Sequence, residues 1–340
     1  MINNRRTNIH KVAEVANVSA MTVTRVFNNS GPVADKTRSK VLAVASKLGY
    51  RPNIMAKSLR SGKTNSIGLL WSLTGPHSSI SVVRNISIRL MNNGYACNVA
   101  DSLSDPKIIK QCLADFSSRN IDGVIVQLIP KMLDDKEILA LLHEIRNVVL
   151  VVFDDVETEF DKLVRDRTQA ARDVVDYFAA SGRKKIVFFS SKNISKEQAF
   201  LEQLKRHDLP VIENSIVHFV RQWDDDEADI GRVYVETLEH YFGDKIPFDA
   251  VMTSCDEGAF AIMDCLSQKG FKIPEDIAVV GFNNSALAPY SRPRLASVDR
   301  RNIELADMVS KMILNRLKQK GIKQQVERLE MKFEKRESAG

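Results

Sequence analysis

Residues 9 to 28 read Ile-His-Lys-Val-Ala-Glu-Val-Ala-Asn-Val-Ser-Ala-Met-Thr-Val-Thr-Arg-Val-Phe-Asn, a run that admits few folds. Val12, Val15 and Ala16 recur at helical spacing, and so do Val23, Val26 and Phe27 after the polar break at Asn17. The pattern predicts a helix, a tight turn and a second helix beginning at Ser19, whose hydroxyl can accept from the freed amides of the next turn. Opposite the apolar face of that second helix stand Ala20, Met21, Thr24 and Arg25. Small, hydroxyl-bearing and guanidinium side chains on one face suit a helix lying in the major groove of DNA.

Charge is distributed accordingly. Residues 1–63 carry 12 Lys or Arg against 2 Asp or Glu, a net of +10, whereas the remainder carries 37 against 41, a net of −4. A basic head on a mildly acidic body gains salt-sensitive affinity for phosphates by releasing counterions. A solvated helical bundle with a lysine-rich face is the plainer alternative. The next segment narrows the choice. Residues 35–48 predict a third helix with Val41, Leu42, Ala45 and Leu48 as its buried stripe, ended by Gly49. Pro52 then opens a short helix-forming stretch in which Leu59 stands among basic residues without an obvious core to enter. Apolar side chains of that kind can wedge between base steps in the minor groove.

From Asn8 to about Leu70 the chain resembles the lac-repressor/gal-repressor family. The resemblance rests on Val12-Ala13, Val18-Ser19, Thr22-Val23-Thr24-Arg25-Val26-Phe27-Asn28, Thr37, Leu48-Gly49-Tyr50-Arg51-Pro52-Asn53 and Ala56-Lys57-Ser58-Leu59. It implies that Ala20, Met21 and Arg25 read bases, that Ser19, Thr22, Thr24, Asn28 and Thr37 hold phosphates, and that Asn8 lies at the DNA. It also places Asn53 and Ala56 at the DNA and makes Leu59 the wedge at the operator dyad. The chain departs from the family pattern at Lys11, usually acidic, at Asn17, usually Gly, and at Ala34, usually the Ser that caps the third helix. None of these touches the reading face.

Beyond residue 64, short apolar runs alternate with helical patterns. Strands are predicted at 66–73, 94–100, 123–129, 147–153, 185–190, 215–220, 248–253 and 277–282, with helices at about 79–92, 107–119, 134–146, 167–181, 195–207, 225–242, 256–270 and 302–320. Such alternation builds parallel sheets with helices on both faces, and so many units make two doubly wound lobes. The family resemblance extends through this body at Asp122-Gly123-Val124-Ile125, Ile273-Pro274-Glu275-Asp276-Ile277-Ala278-Val279-Val280-Gly281-Phe282, Arg292-Pro293-Arg294-Leu295-Ala296-Ser297-Val298 and Phe333-Glu334-Lys335-Arg336-Glu337-Ser338. The expected α/β architecture is a helix-turn-helix head (1–50), a hinge helix and linker (51–64), and a core (65–340) of two lobes of periplasmic-binding-protein type. Crossings implied near 161, 291 and 321 give lobe 1 as about 65–161 and 292–321, and lobe 2 as about 162–291 and 322–340. The sequence ends just past the last strand without a coiled-coil tail, so the resemblance implies a homodimer.

The cleft between lobes is the expected effector site. His77, Asp154, Lys196, Trp223, Cys255, Asp256 and Asn283 are its candidates. Trp223 is either a core side chain or an aromatic that stacks on a ligand. His77 either lines the cleft or is a solvated loop histidine. Lys196 stands where sugar-binding members of the family have arginine, Cys255-Asp256 replaces the usual Asn-Asp pair, and Asn283-Asn284 the usual Asp-Asp pair. Loss of the bidentate fork and of a carboxylate favours an acidic or phosphorylated sugar over a neutral one.

Other chemistries find little support. Met1 to Thr7 is polar and basic with no apolar stretch behind it, unlike a signal peptide, and no window reaches the length of a membrane span. Cys97, Cys112, Cys255 and Cys265 are dispersed, as expected for reduced thiols in a cytoplasmic protein. The six histidines lack metal spacing and no Gly-x-Ser-x-Gly is present. Gly62-Lys63-Thr64 lacks the earlier glycine of a phosphate loop, since position 57 is lysine. The expectation is therefore a transcription regulator, a repressor in the simplest case, with no enzymatic activity, metal or cofactor. It would bind pseudo-palindromic operator DNA as a dimer and answer to a small molecule. A sugar-binding protein of periplasmic type and a sugar-modifying enzyme with a DNA-binding head are the competing readings; the basic head opposes the first, and the lack of a catalytic constellation opposes the second.

Overall fold

The computed structural model describes residues 8–28, 30–51, 62–73, 78–219, 230–319 and 321–340. The chain divides between Thr64 and Asn65 into two compact units.

The smaller unit holds α1 (Ile9–Ala16), α2 (Ala20–Asn28) and α3 (Asp35–Lys47). Asn8 caps α1 by accepting from the Lys11 amide at 3.0 Å, and Asn17 ends it in the left-handed region at φ 51°. An asparagine there tolerates what a β-branched residue would resist. Val12, Ala13, Ala16, Val23, Val26, Val41 and Ala45 form the core, with Val44, Leu48 and Tyr50 packed against it. Two expected core residues lie elsewhere: Val15 is 47% exposed and Leu42 46%. In α3 the covered stripe is Val41, Val44, Ala45 and Leu48, the i, i+3, i+4, i+7 set, and Leu42 is one position around from it. In α1 the stripe passes through Ala13 rather than Val15.

The larger unit begins with β1 (Ser66–Trp71), α4 (Ser78–Asn92), β2 (Ala96–Asp101), α5 (Pro106–Ser118), β3 (Gly123–Leu128), α6 (Lys136–Glu144), β4 (Val148–Val152) and β5 (Asp161–Asp166). It continues with α7 (Thr168–Ala180), β6 (Ile186–Ser190), α8 (Ile194–Arg206), β7 (Ile216–His218), α9 (Ile230–Phe242), β8 (Ala250–Thr253), α10 (Asp256–Gln268), β9 (Ala278–Asn283) and β10 (Ala296–Asp299). The last elements are α11 (Asn302–Lys318), β11 (Val326–Glu330) and β12 (Lys332–Glu334). One sheet runs β11-β5-β4-β3-β1-β2 and the other β12-β10-β9-β8-β6-β7. The first is parallel throughout, and the second is parallel except where β12 meets β10. The central strands are buried on both faces. Ile67 and Leu69 point into the layer beneath α4 and α11, while Leu70 and Val126 point into the layer beneath α5 and α6, as a period of two requires.

Sheet membership moves the lobe crossings later than expected. β5 belongs to the first sheet, β10 to the second, β11 to the first and β12 to the second. The chain therefore passes between lobes at 166–168, 299–302 and 330–332, not near 161, 291 and 321. Both β5 (Asp-Lys-Leu-Val-Arg-Asp) and β11 (Val-Glu-Arg-Leu-Glu) are charged strands that do not read as strands from hydropathy. β5 is nevertheless buried, and its first two charges are matched. Asp161 is engaged by Arg316 of α11 and by the Gln325 amide at 2.7 Å, and Lys162 reaches Asp155 at 2.6 Å. Buried charges persist in folded proteins when paired in this way.

Candidate DNA-reading helix and interlobe site

In the smaller unit, Ser19 Oγ accepts from the Thr22 amide at 3.1 Å, the N-cap bond its position predicts. Ser19 and Thr22 hydroxyls lie 2.9 Å apart, and Thr24 Oγ1 donates to the Ala20 carbonyl at 3.0 Å. That bond commits the Thr24 hydroxyl proton to the helix rather than to a phosphate. Met21, Arg25 and Asn28 are exposed, Met21 by 62%. α2 thus buries Val23 and Val26 and presents Met21 and Arg25 outward. α3 holds it in place: Arg38 Nη1 donates to the Val26 carbonyl at 3.2 Å, and Phe27 meets Tyr50 edge-on at 5.5 Å between centroids. Thr37 is half-buried in the first turn of α3, whose cap residue Ala34 offers no side-chain bond. Asn53, Ala56 and Leu59 lie outside the described residues.

In the larger unit both lobes share one strand order, β2-β1-β3-β4-β5 in the first and β7-β6-β8-β9-β10 in the second. Each has its topological switch between its first and third strands, and ligands of such sheets sit beyond the carboxyl ends there. A cavity of about 50 Å³ opens at this point in lobe 1, with Ser72, Ser102, Ser104, Gln127 and Phe153 in its wall. In lobe 2 the corresponding ends are tied by the Ser191 amide, which donates to Ser254 Oγ at 3.1 Å.

The lobes touch where these ends meet. Asp154, just after β4, accepts 2.5 Å from Ser195 Oγ in the first turn of α8. Arg167, between β5 and α7, lays its guanidinium over the Phe153 ring at 4.1 Å. Lys196 is 3% exposed, with its ammonium 4.0 Å from the Phe282 ring centroid and 5.0 Å from that of Phe188. Burial, then Arg167 and Arg300, push its pKa from 10.5 down to about 7, against a smaller opposing pull from Cys255 and Glu197. Burial lowers Arg167 to about 10, with Asp154 opposing; burial and then Arg167 lower Arg300 to about 10. Asn283, at the end of β9, accepts from Arg300 Nη1 at 3.2 Å and leaves its buried Nδ2 without a hydrogen-bond partner among the described residues.

Cys255 and Asp256 do structural work instead. Cys255 is fully buried and caps α10, accepting from the Gly258 amide at 3.4 Å; burial pushes its thiol pKa to about 12. Asp256 accepts from Ser297 Oγ at 2.5 Å and from the Ser285 amide, so its carboxylate ties β10 to the loop after β9. A side chain at Gly281 would run into that carboxylate. His77 and Trp223 lie outside the described residues. Sequence reasoning missed Arg165, Arg167, Ser195 and Arg300. Arg165 lies in the charged strand β5, which does not announce itself as a strand; Arg167 and Arg300 lie in links and Ser195 in the first turn of α8, where only the fold decides what a side chain meets. Among the described residues no cluster of His, Cys, Asp and Glu could hold a metal, and no helix is long and apolar enough to cross a membrane.

Comparison with known proteins agrees with this geometry. Residues 8–53 match the model of bacterial regulatory proteins of the lacI family, and residues 175–339 match a periplasmic binding protein-like domain. The chain is 28% identical to the HTH-type transcriptional regulator RegA of Clostridium saccharobutylicum over 98% of its length and 99% of that protein's. It is 28% identical to the transcriptional repressor PurR of Photobacterium profundum, covering 94% of each, and 27% identical to catabolite control protein A of Priestia megaterium, covering 97% and 98%. The lac repressor dimer bound to operator and an anti-inducer superposes with a TM-score of 0.83 at 20% identity, over 98% of this chain and 99% of that one. The head thus matches the lacI family of bacterial regulatory proteins and the body a periplasmic binding protein-like domain, as in the full-length transcriptional regulators the chain is similar to.

Proposed function

We propose that this protein is a transcriptional repressor that binds operator DNA as a homodimer in the bacterial cytoplasm, associates with the nucleoid when so bound, and releases or tightens its grip as a small molecule occupies the interlobe site. The observation that carries this reading is α2: it is anchored by its buried face and presents Met21 and Arg25 outward from a unit of net charge +10. Arg25 is the group able to read guanine by a bidentate contact, whereas Met21 and Ala20 offer apolar contact with thymine methyls. Two heads related by a twofold would read two half-sites of a pseudo-palindrome. A ligand that favours one separation of the lobes changes operator affinity, and the operator changes ligand affinity by the same factor.

Selection of duplexes from a random pool tests the reading. The full chain should enrich a twofold-symmetric sequence. Arg25→Ala should lose base preference at one position per half-site, at a cost of about 1–3 kcal/mol. No enrichment would refute the regulator reading. A uniform loss across all sequences on Arg25→Ala would make Arg25 a phosphate contact only.

A further inference from the structure

Three cationic side chains, Lys196, Arg167 and Arg300, lie near the contact between the lobes. We propose that the interlobe site takes a small hydroxylated anion, a sugar acid or sugar phosphate, whose charged group is seated by Lys196 and Arg167 with Asn283 beside them. The proposal rests on the reading of this cleft as the effector site and names the ligand class.

The first argument is charge balance. Lys196 comes from α8, Arg167 from the β5–α7 link and Arg300 from the β10–α11 link, so three separate segments bring cations within electrostatic reach of one another. Neither Lys196 nor Arg167 makes an ion pair among the described residues. Asp154 attracts Arg167, but its Oδ1 is occupied by Ser195. Glu197 attracts Lys196, yet its Oε1 accepts from Ser190 Oγ at 2.5 Å and lies 3.1 Å from His218 Nε2. Arg165, fully buried in β5, adds a fourth positive charge within reach of Arg300 and Arg167; Asp299 pulls on Arg165 and Glu257 on Arg300.

The second argument is unused hydrogen-bonding capacity. Buried Arg167 Nε, Asn283 Nδ2, and Arg165 Nε and Nη1 lack partners among the described residues, and the Lys196 ammonium lies against the Phe282 and Phe188 rings. All are donors. An isolated structural role would leave these groups costly, since buried donors and like charges are retained only when something accepts from them. An anion satisfies both needs, and a neutral hydroxyl satisfies neither the charge nor most of the donors.

The third argument fixes the rest of the ligand. Phe153 lies under the Arg167 guanidinium and also walls the lobe 1 cavity, so the cationic seat and that cavity share a side. The cavity offers Ser72, Ser102, Ser104 and Gln127, polar groups suited to hydroxyls. Binding of the anion should also return a proton to Lys196. The groups facing it are Arg167, Arg300, Glu197 and Cys255, and burial with the two arginines outweighs the pull of Glu197 and Cys255.

Thermal unfolding of the full chain at near-neutral pH, with inorganic phosphate, glucose 6-phosphate, glucuronate, glucose or chloride at equal ionic strength, tests the assignment. The anions should raise the body's transition by ~2–4 °C over chloride, and glucose should not. Lys196→Met and Arg167→Gln should weaken the response about tenfold or more. Calorimetric titration with glucose 6-phosphate in two buffers of different ionisation heat should show proton uptake in the wild type and none in Lys196→Met. The assignment is overturned if only glucose stabilises, if no anion exceeds chloride, or if both variants keep the full response. If an anion binds through Lys196 but selected duplex DNA is held equally well with and without it, the ligand class stands and the regulatory reading of the cleft fails.

Discussion

Ser195 Oγ donates 2.5 Å to Asp154 Oδ1, joining the first turn of α8 in one lobe to the end of β4 in the other. The bond exists only while the two carboxyl edges are this close. Ser195→Ala should therefore favour separated lobes by about 1 kcal/mol, the usual worth of such a bond. Effector affinity and the effector-dependent change in operator affinity should shift by a common factor. Small-angle scattering of the unliganded variant should report a larger radius of gyration; an unchanged radius and unchanged coupling would remove the bond from the mechanism.

Lys196 carries a stability consequence with a definite sign. Its folded-state pKa of about 7 lies below the ordinary 10.5, because burial and the neighbouring arginines disfavour the ammonium. Below pH 7 the lysine is charged in both states, and the folded protein bears the full cost. As pH rises toward 10.5 the folded lysine has already lost its proton and the cost fades. Lys196→Met should stabilise the unliganded protein near pH 6 by about 1–4 kcal/mol, with the gain shrinking toward pH 10. Urea unfolding at the two pH values checks this; a gain that grows with pH would contradict it.

Cys255 should be chemically silent. It is fully buried, and its thiol pKa is pushed to about 12, whereas Cys97, Cys112 and Cys265 are only partly covered. Mass spectrometry after iodoacetamide treatment at pH 8 should find Cys255 unmodified in the native protein and modified once it is unfolded. Native labelling at Cys255 would mean that the N-terminus of α10 opens readily.

The head and the body should respond separately to core mutations, since the chain forms two compact units. Val41 is fully buried in a core of few side chains. Val41→Ala should cost the head about 2 kcal/mol and abolish much of its DNA binding, while the body's thermal transition stays in place. Loss of both transitions together would show the units to be coupled in folding.

Much of this was legible in the residues. The helix pair, its Ser19 cap and the left-handed Asn17 follow from local chemistry, and eight apolar runs marked strands, all but the edge strand β2 buried at their centres. Strands β5 and β11 escaped because a strand with paired charges looks polar: Asp161 and Lys162 are hidden only by virtue of Arg316, Gln325 and Asp155, which lie far away in sequence. The pocket was half legible. Lys196 stood out by the residue type it replaced; Asp154 accepts from its chain neighbour Ser195, Asn283 accepts from Arg300, and Cys255 and Asp256 cap and brace. A sequence shows that a residue is polar; only the fold shows whether its partner is a serine across a loop or an incoming ligand.

The most direct test of the account compares the full chain with one beginning at Asn65 on a duplex selected by the full chain, by fluorescence anisotropy across a salt series. The full chain should bind, with affinity falling steeply as salt rises, as expected when several phosphates are neutralised. The shorter chain should not bind at any salt concentration. Retention of duplex binding by residues 65–340 would contradict the assignment of recognition to the basic head.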